Sequence, residues 1–292
     1  MPELPEVETV RAGLATHITG NSFTSIDVFN TRSIRQHVGG GKDFAKQLLD
    51  TSIRCVSRRG KFLWMPLLSN GEETDRALVM HLGMSGQALL VPREAENESQ
   101  LRVKFGLNRD DIELRFVDQR MFGGVHVDYL VQVDDEALPQ SALHIARDAL
   151  DPRLDVDAVI AKYRKRTAGV KSLLLNQELM SGVGNIYADE ALWLSKIHYE
   201  TPGQRLSARQ WRELIGNVQD VMRKAVTAGG TSFDDLYVSV NGESGWFEVS
   251  LNAYGQENEP CGRCGRPIVR EAWSNRSSFR CPSCQRRPRS GQ

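Results

Sequence analysis

Apolar positions near the start of the chain recur at helical spacing. Val7, Val10, Leu14 and Ile18 lie three and four residues apart and predict one buried face of an amphipathic helix. Pro5 suits the first turn of that helix, and Glu6 and Glu8 suit the positive end of its dipole. The period then shortens. Residues 22–30 alternate weakly and predict a strand, residues 42–49 a short helix, and residues 53–67 two β-prone runs divided by Arg58-Arg59-Gly60-Lys61. Residues 78–81, 87–91, 101–107, 112–117 and 125–130 predict further short strands with turn residues between them. So many short strands in succession predict a sandwich or flattened barrel. Residues 131–157, with Pro139, Pro152 and a run of acids, read as a linker. From Val156 to Gly229 the pattern is helical. Segments 170–177 and 186–194 are joined by Ser181-Gly182-Val183-Gly184, Asn185 occupies the expected N-cap, and a longer amphipathic helix over 207–228 stops at Gly229-Gly230. Residues 235–256 read as a loop, 260–285 as a cysteine module and 286–292 as a disordered tail.

Composition adds limits. A chain of 292 residues with 40% hydrophobic content has room for two domains with cores of their own. No apolar run is long enough to span a bilayer, and no basic-then-apolar leader opens the chain, so a cytoplasmic protein is expected. Lys+Arg and Asp+Glu are both 37, but the charge is unevenly spread. Arg263, Arg266, Arg270, Arg276, Arg280, Arg286, Arg287 and Arg289 face a single acid, Glu271, after Pro260, whereas residues 128–157 are strongly acidic. Of the 5 cysteines, Cys55 stands alone and the others form two pairs. That is the arithmetic of a metal site in a reducing compartment, not of a disulfide framework.

Several stretches carry candidate chemistry. Loss of Met1 would expose Pro2 as a secondary amine, and an α-amino group titrates at about 7.7–8.0, so a useful fraction is neutral near pH 7. Such an amine can attack an electrophilic carbon and form a Schiff base, with Glu3 beside it as proton donor or acceptor. The plainer alternative is an ordinary mobile terminus. Lys61 at a strand junction could reach a phosphate as a point charge, or simply be a solvated turn. Residues 81–86 form a tight turn with Met84 at its tip, and residues 118–124 a second one in which alternation would point Arg120 and Phe122 the same way. An apolar wedge and a hydrogen-bonding arginine are what fill the gap left by an extruded base, although a methionine is more often core packing. Gly182-Val183-Gly184 before a helix offers N–H groups to an anion, or is only a helix connection. Cys261-x2-Cys264-x16-Cys281-x2-Cys284 has four-cysteine zinc spacing, and a closed set of four thiolates implies one structural ion. Cys55 reads as a small buried residue.

The opening Pro2-Glu3-Leu4-Pro5-Glu6-Val7-Glu8 resembles the N-terminus of the formamidopyrimidine-DNA glycosylases, bacterial enzymes that remove oxidised purines. The resemblance continues in order through the lysine turn, the two wedge turns, a helix-two-turn-helix motif, a covering loop over residues 229–247 and the cysteine ribbon. It implies an α+β fold with an N-terminal β-sandwich flanked by helices (1–133), a linker (134–156), a helical helix-two-turn-helix domain (157–258), a zinc ribbon (259–285) and a tail (286–292). It also implies a bifunctional glycosylase and abasic-site lyase acting as a monomer on duplex DNA that holds oxidised bases or abasic sites. Pro2 would be the nucleophile, Glu3 the general acid/base and Lys61 a binder of the backbone around the lesion. Met84, Arg120 and Phe122 would fill the gap, while Lys171, Asn185 and the hairpin residue Arg276 would meet phosphates. Tyr237 and Trp246 of the covering loop could stack on a base, although aromatic residues in a loop near a core usually just anchor it. Met121 departs from the pattern, because many members carry a second arginine there. Two rivals remain: an endonuclease VIII-like enzyme for oxidised pyrimidines, whose Pro-Glu-Gly-Pro-Glu start differs at Leu4, and a non-catalytic zinc-ribbon binder of damaged DNA, which leaves Pro2-Glu3 idle.

Overall fold

The apolar face of residues 7–18 does what its spacing predicts. Helix α1 (Leu4–Ile18) buries Val7, Val10, Leu14 and Ile18 in one apolar core. The structure, a computed structural model, describes residues 2–230, 240 and 251–288; Met1, most of the expected covering loop with Tyr237 and Trp246, and the tail beyond 288 lie outside them. The chain divides into two compact units, one formed by residues 1–144 with 228–246 and the other by residues 145–227 with 247–292.

The first unit is a β-sandwich. Strands β1 (Phe23–Val28), β2 (Thr51–Ile53), β3 (Ser57–Arg59), β4 (Phe62–Ser69), β5 (Glu72–His81), β6 (Gly86–Pro92), β7 (Leu101–Leu107), β8 (Ile112–Asp118), β9 (Gly124–Val133) and β10 (Glu136–Pro139) form two antiparallel sheets. One runs β1-β7-β8-β6; the other runs β10-β9-β5-β4-β2, with β3 also paired to β4. Phe105, Leu114 and Phe116 of the first sheet and Leu63, Met65, Leu78 and Met80 of the second share one core with α1 and with Phe44 and Leu48 of α2 (Gly40–Leu48). Pro66 in β4 cannot donate to a ladder, and the β4–β5 register shifts between Pro66 and Leu68 to accommodate it. A later segment returns to this unit: the Val240 carbonyl accepts from Leu90 N–H at 2.7 Å, and a Cβ on Gly13 would lie 2.6 Å from Val240 Cγ2.

Two local expectations need correction here. Part of the acid run expected in a linker is strand, because Glu136–Pro139 pairs with β9 and buries Leu138 against Trp64 and Val79. The reversal between them passes through Asp134 at φ 54. The acids hid the two buried positions, Leu138 and Pro139, that anchor this strand.

The second unit is helical. It contains α3 (Val156–Tyr163), α4 (Val170–Leu174), α5 (Asn185–Ser195), α6 (Ala208–Thr227) and the hairpin β11 (Val269–Trp273)–β12 (Arg276–Arg280). Asp155 caps α3 through the Ala158 N–H at 2.9 Å. Trp211, Leu214, Ile215, Val218 and Met222 recur at helical spacing along α6 and are buried. Glycines 229 and 230, at φ 78 and 90, end the helical stretch. The other correction concerns Asn185, which is the first residue of α5 while Gly184 is the N-cap. Its amide is engaged elsewhere, as described below.

Candidate functional site

Pro2 and Glu3 lead into α1 and are buried, Glu3 to 2% exposure. Glu3 is the N-cap in extended conformation (φ −104, ψ −171), and its N–H donates to Glu6 Oε2 at 2.9 Å, one half of a capping box. Two arginines hold the next acid. Glu8 accepts from Arg11 and from Arg58 Nε at 2.8 Å, and Arg58 Nη1 donates to the Gly60 carbonyl at 2.8 Å. Burial by itself would push the Glu8 carboxyl up, but the two guanidiniums hold it below the usual carboxylate range. This ionised bridge ties α1 to the Gly60-Lys61 turn, where Lys61 is buried to 9% exposure. Gly230 comes up against the same helix. A Cβ there would sit 3.3 Å from Glu6 Cγ, on a backbone of φ 90.

The two wedge turns meet backbone to backbone. Gly83 has φ 64, and a Cβ on it would fall 2.3 Å from Gly123 N; a Cβ on Gly123 would fall 2.7 Å from the His81 carbonyl oxygen. Fully buried Asp118 organises both turns, accepting from Ser85 Oγ at 2.5 Å, Arg120 N–H at 3.2 Å and Gly123 N–H at 2.8 Å. Arg35 closes the outer side by donating to the Phe122 and Gly123 carbonyls at 3.0 and 2.8 Å. The Arg120 guanidinium stands over the Phe122 ring, 5.2 Å from its centroid, and Phe122 is 48% exposed. The two side chains do share a side, but not through strand alternation. Met121 between them is left-handed at φ 54.

His81 belongs to this assembly and was missed as a functional residue in the sequence, where it merely opens the 81–86 turn. Its ring lies 4.7 Å from Phe62, and its Nδ1 accepts the Gly83 N–H at 3.1 Å. Burial first, then the charges of Lys61 and Arg35, push the imidazole down to about 4. The ring is therefore neutral at pH 7, and its proton sits on Nε2 as a hydrogen-bond donor.

In the second unit Lys171, Asn185 and the hairpin converge. The Lys171 ammonium is wholly buried, 2.7 Å from Asp189 Oδ1, 3.0 Å from Ser278 Oγ, 3.4 Å from the Ser277 carbonyl and 4.9 Å from the Trp273 ring centroid. Asn185 Nδ2 donates to the same Ser277 carbonyl at 2.9 Å, while its Oδ1 is buried with no hydrogen-bond partner among the described residues. The hairpin reverses over Ser274 and Asn275, both left-handed at φ 43 and 59, the conformation of a type I′ turn. This pairs Trp273 with Arg276 and leaves Arg276 exposed at the head of β12. The resemblance implies a phosphate ligand at Lys171; the structure puts its ammonium in the interior on protein acceptors. Gln177, also missed, braces the Gly-rich turn by accepting the Gly182 N–H at 2.9 Å and donating to the Val183 carbonyl at 3.0 Å.

The sulfurs of Cys261, Cys264, Cys281 and Cys284 lie within 4.8 Å of one another. Tetrahedral zinc with bonds of about 2.3 Å needs sulfurs about 3.8 Å apart, so this donor set fits it. The Cys284 N–H donates to Cys281 Sγ at 3.4 Å, the kind of bond that steadies a thiolate ligand. Cys55 is half-buried, with Sγ 3.7 Å from Ser57 Oγ.

An exposed aromatic-and-arginine turn in one unit and an arginine hairpin seated on a helix pair in the other define the class: proteins equipped to hold and open nucleic acid. The formamidopyrimidine-DNA glycosylase N-terminal domain matches residues 1–125, and the formamidopyrimidine-DNA glycosylase H2TH domain matches residues 145–236. The formamidopyrimidine-DNA glycosylase of Rhodococcus jostii is 53% identical over 289 residues, covering 99% of this chain and 97% of its own. That of Nocardioides sp. is 53% identical over 291 residues, covering 99% and 96%. Among solved structures, a point mutant of Lactococcus lactis Fpg in complex with Fapy-dG DNA superposes with a TM-score of 0.85 at 30% identity, covering 98% of this chain and 100% of that one. The Lactococcus lactis Fpg complex with abasic-site DNA gives 0.84 at 30% identity, with the same coverage. The chain belongs to the formamidopyrimidine-DNA glycosylase family.

Proposed function

We infer that this chain excises oxidised purines from duplex DNA and then cleaves the strand at the resulting abasic site. The observation that carries the reading is the buried Pro2-Glu3 pair at the head of α1, in a chain 53% identical to a formamidopyrimidine-DNA glycosylase over 289 residues. With Met1 removed, the neutral Pro2 nitrogen attacks C1′ of the flipped deoxyribose. The N-glycosidic bond breaks, and the base leaves with its electron pair and a proton. Glu3 carries protons to and from the sugar. The C1′–O4′ bond then breaks, O4′ taking a proton from Glu3, and the opened sugar is left as an iminium between Pro2 and C1′; this acidifies the C2′ proton, whose loss expels the 3′ phosphate, and a second elimination expels the 5′ phosphate. Met84, Arg120 and Phe122 occupy the gap in the stack, with His81 and Lys61 as donors beside it. Asn185 and the Arg276 hairpin take backbone phosphates, with Lys171 beneath them. The four cysteines hold one structural zinc ion, which cross-links the two ends of the ribbon and has no open position for chemistry.

Borohydride trapping on a duplex containing 8-oxoguanine tests this. A covalent adduct mapping to Pro2 is expected, and retaining Met1 or adding an N-terminal tag should abolish it while specific DNA binding persists. Lys61→Ala should slow base release but still allow trapping. An adduct on Lys61, or full glycosylase activity with Met1 attached, would overturn the assignment. Faster release of thymine glycol than of 8-oxoguanine would favour the pyrimidine-specific rival.

A further inference from the structure

Helix α5 carries two consecutive buried acids, Asp189 and Glu190, at 1% and 2% exposure. They grip the two strands of chain that frame the ribbon. Glu190 accepts the N–H groups of Asn252, Ala253 and Tyr254 at 2.9, 2.7 and 2.9 Å. Asp189 faces the hairpin itself: Oδ1 accepts Ser278 Oγ at 2.9 Å and Oδ2 accepts the Phe279 N–H at 2.9 Å. Asp189 Oδ1 also lies 2.7 Å from the Lys171 ammonium, which donates in turn to Ser278 Oγ and the Ser277 carbonyl, again hairpin atoms. One buried ion pair therefore holds the hairpin from both of its charges.

We propose that Asp189 is a positioning residue that acts through Lys171 and β12 to fix the Arg276 hairpin in its DNA-binding pose. The proposal rests on the reading of Arg276 as a phosphate ligand. Arg276 is two residues from Ser278 and adjacent to Ser277, so the atoms Asp189 and Lys171 hold are the base from which Arg276 projects. Removing the Asp189 charge takes from the buried Lys171 ammonium the carboxylate 2.7 Å away, and a buried cation that loses its partner is strongly destabilised. The ammonium would then seek solvent and draw away from the two oxygens that seat the turn. Removing both charges together leaves no such drive, and the Asn185 bond to Ser277 and the Tyr199 hydroxyl bond to Glu271 at 2.9 Å still dock the hairpin.

The test is affinity for a duplex bearing a stable abasic-site analogue, measured over a salt series for Asp189→Asn, Arg276→Ala, the two combined, Lys171→Met, and Lys171→Met with Asp189→Asn. Zinc content and thermal unfolding are followed in each. Arg276→Ala should reduce the slope of log affinity against log salt by about one, as loss of one phosphate contact does. Asp189→Asn should do the same, and adding it to Arg276→Ala should change affinity by no more than about twofold. Lys171→Met with Asp189→Asn should bind better than Asp189→Asn alone. A purely structural lesion would instead lower affinity additively with Arg276→Ala and leave the slope alone; additivity, or unchanged binding by Asp189→Asn, overturns the proposal. If the double charge variant binds worse than Asp189→Asn, Lys171 is itself the phosphate ligand and the proposal fails. If Asp189→Asn does not fold, the double charge variant against Lys171→Met decides: recovery supports the proposal and no recovery overturns it. Arg276→Ala without effect would overturn the reading of Arg276 itself, and this inference with it.

Discussion

The side chain at position 81 illustrates how far one residue can depart from what its neighbours in sequence suggest. His81 is held neutral because burial, Lys61 and Arg35 all oppose its protonation. The unfolded chain titrates this ring at about 6.5 and the folded one at about 4, so the unfolded state binds the proton first as pH falls. The stability that His81 contributes is complete above pH 6.5 and declines as pH drops from there towards 4, by at most about 3 kcal/mol. His81→Gln should flatten this part of the profile. Urea unfolding of both proteins across pH 4–7 measures it, and parallel profiles would mean that the ring is not desolvated.

At the scale of elements, glycine contacts set the geometry of the Met84 and Phe122 turns. The Met84 turn and the Phe122 turn approach so closely at Gly83 and Gly123 that neither position has room for a Cβ. Gly83→Ala adds both a clash with Gly123 N and a methyl at φ 64, with a cost of about 1–3 kcal/mol from the backbone alone. It is expected to separate the turns and to reproduce the phenotype of Phe122→Ala: base removal from duplex DNA impaired far more than strand cleavage at a preformed abasic site. Equal loss of both activities in Phe122→Ala would assign that ring to the fold instead. The hairpin of the second unit obeys the same logic with different residues. Ser274 and Asn275 accept left-handed backbone, and that two-residue reversal gives Arg276 its place opposite Trp273.

At the scale of the molecule, two units with separate cores need not unfold together. The ribbon's own apolar cluster is small, built on Trp193, Ala253, Ile268 and Phe279 with two of the cysteines, and a module of that size is expected to need a bound metal to fold. Cys264→Ser, or a strong chelator, is expected to release one zinc per chain and to expose the amides of residues 268–281 to hydrogen exchange. Protection in the sandwich strands should persist. DNA affinity should fall sharply, because Arg276 is carried by the released hairpin. Wild-type protein without zinc by metal analysis would contradict the metal assignment, and equal loss of protection in both units would contradict their independence.

Periodic and short-range features were legible without the fold. The spacing of Val7, Val10, Leu14 and Ile18 fixed the buried face of α1, and β7 covers the very residues its alternation predicts, 101–107. The paired cysteines likewise show in their spacing the cluster that their sulfurs form, within 4.8 Å of one another. What the sequence hid depends on partners far along the chain. Leu138 made a strand inside an acid run because Trp64 and Val79 were there to cover it. Asn185 left the N-cap because the Ser277 carbonyl, 92 residues on, takes its amide. Lys171 looks like any helical lysine until Asp189 and Ser278 are brought to it, and Asp118 like any turn aspartate until Ser85 closes on it. Propensity and periodicity act over a few residues and leave their mark in the sequence. Desolvation and the satisfaction of buried polar groups act through space, so only the folded chain decides which groups they bind together.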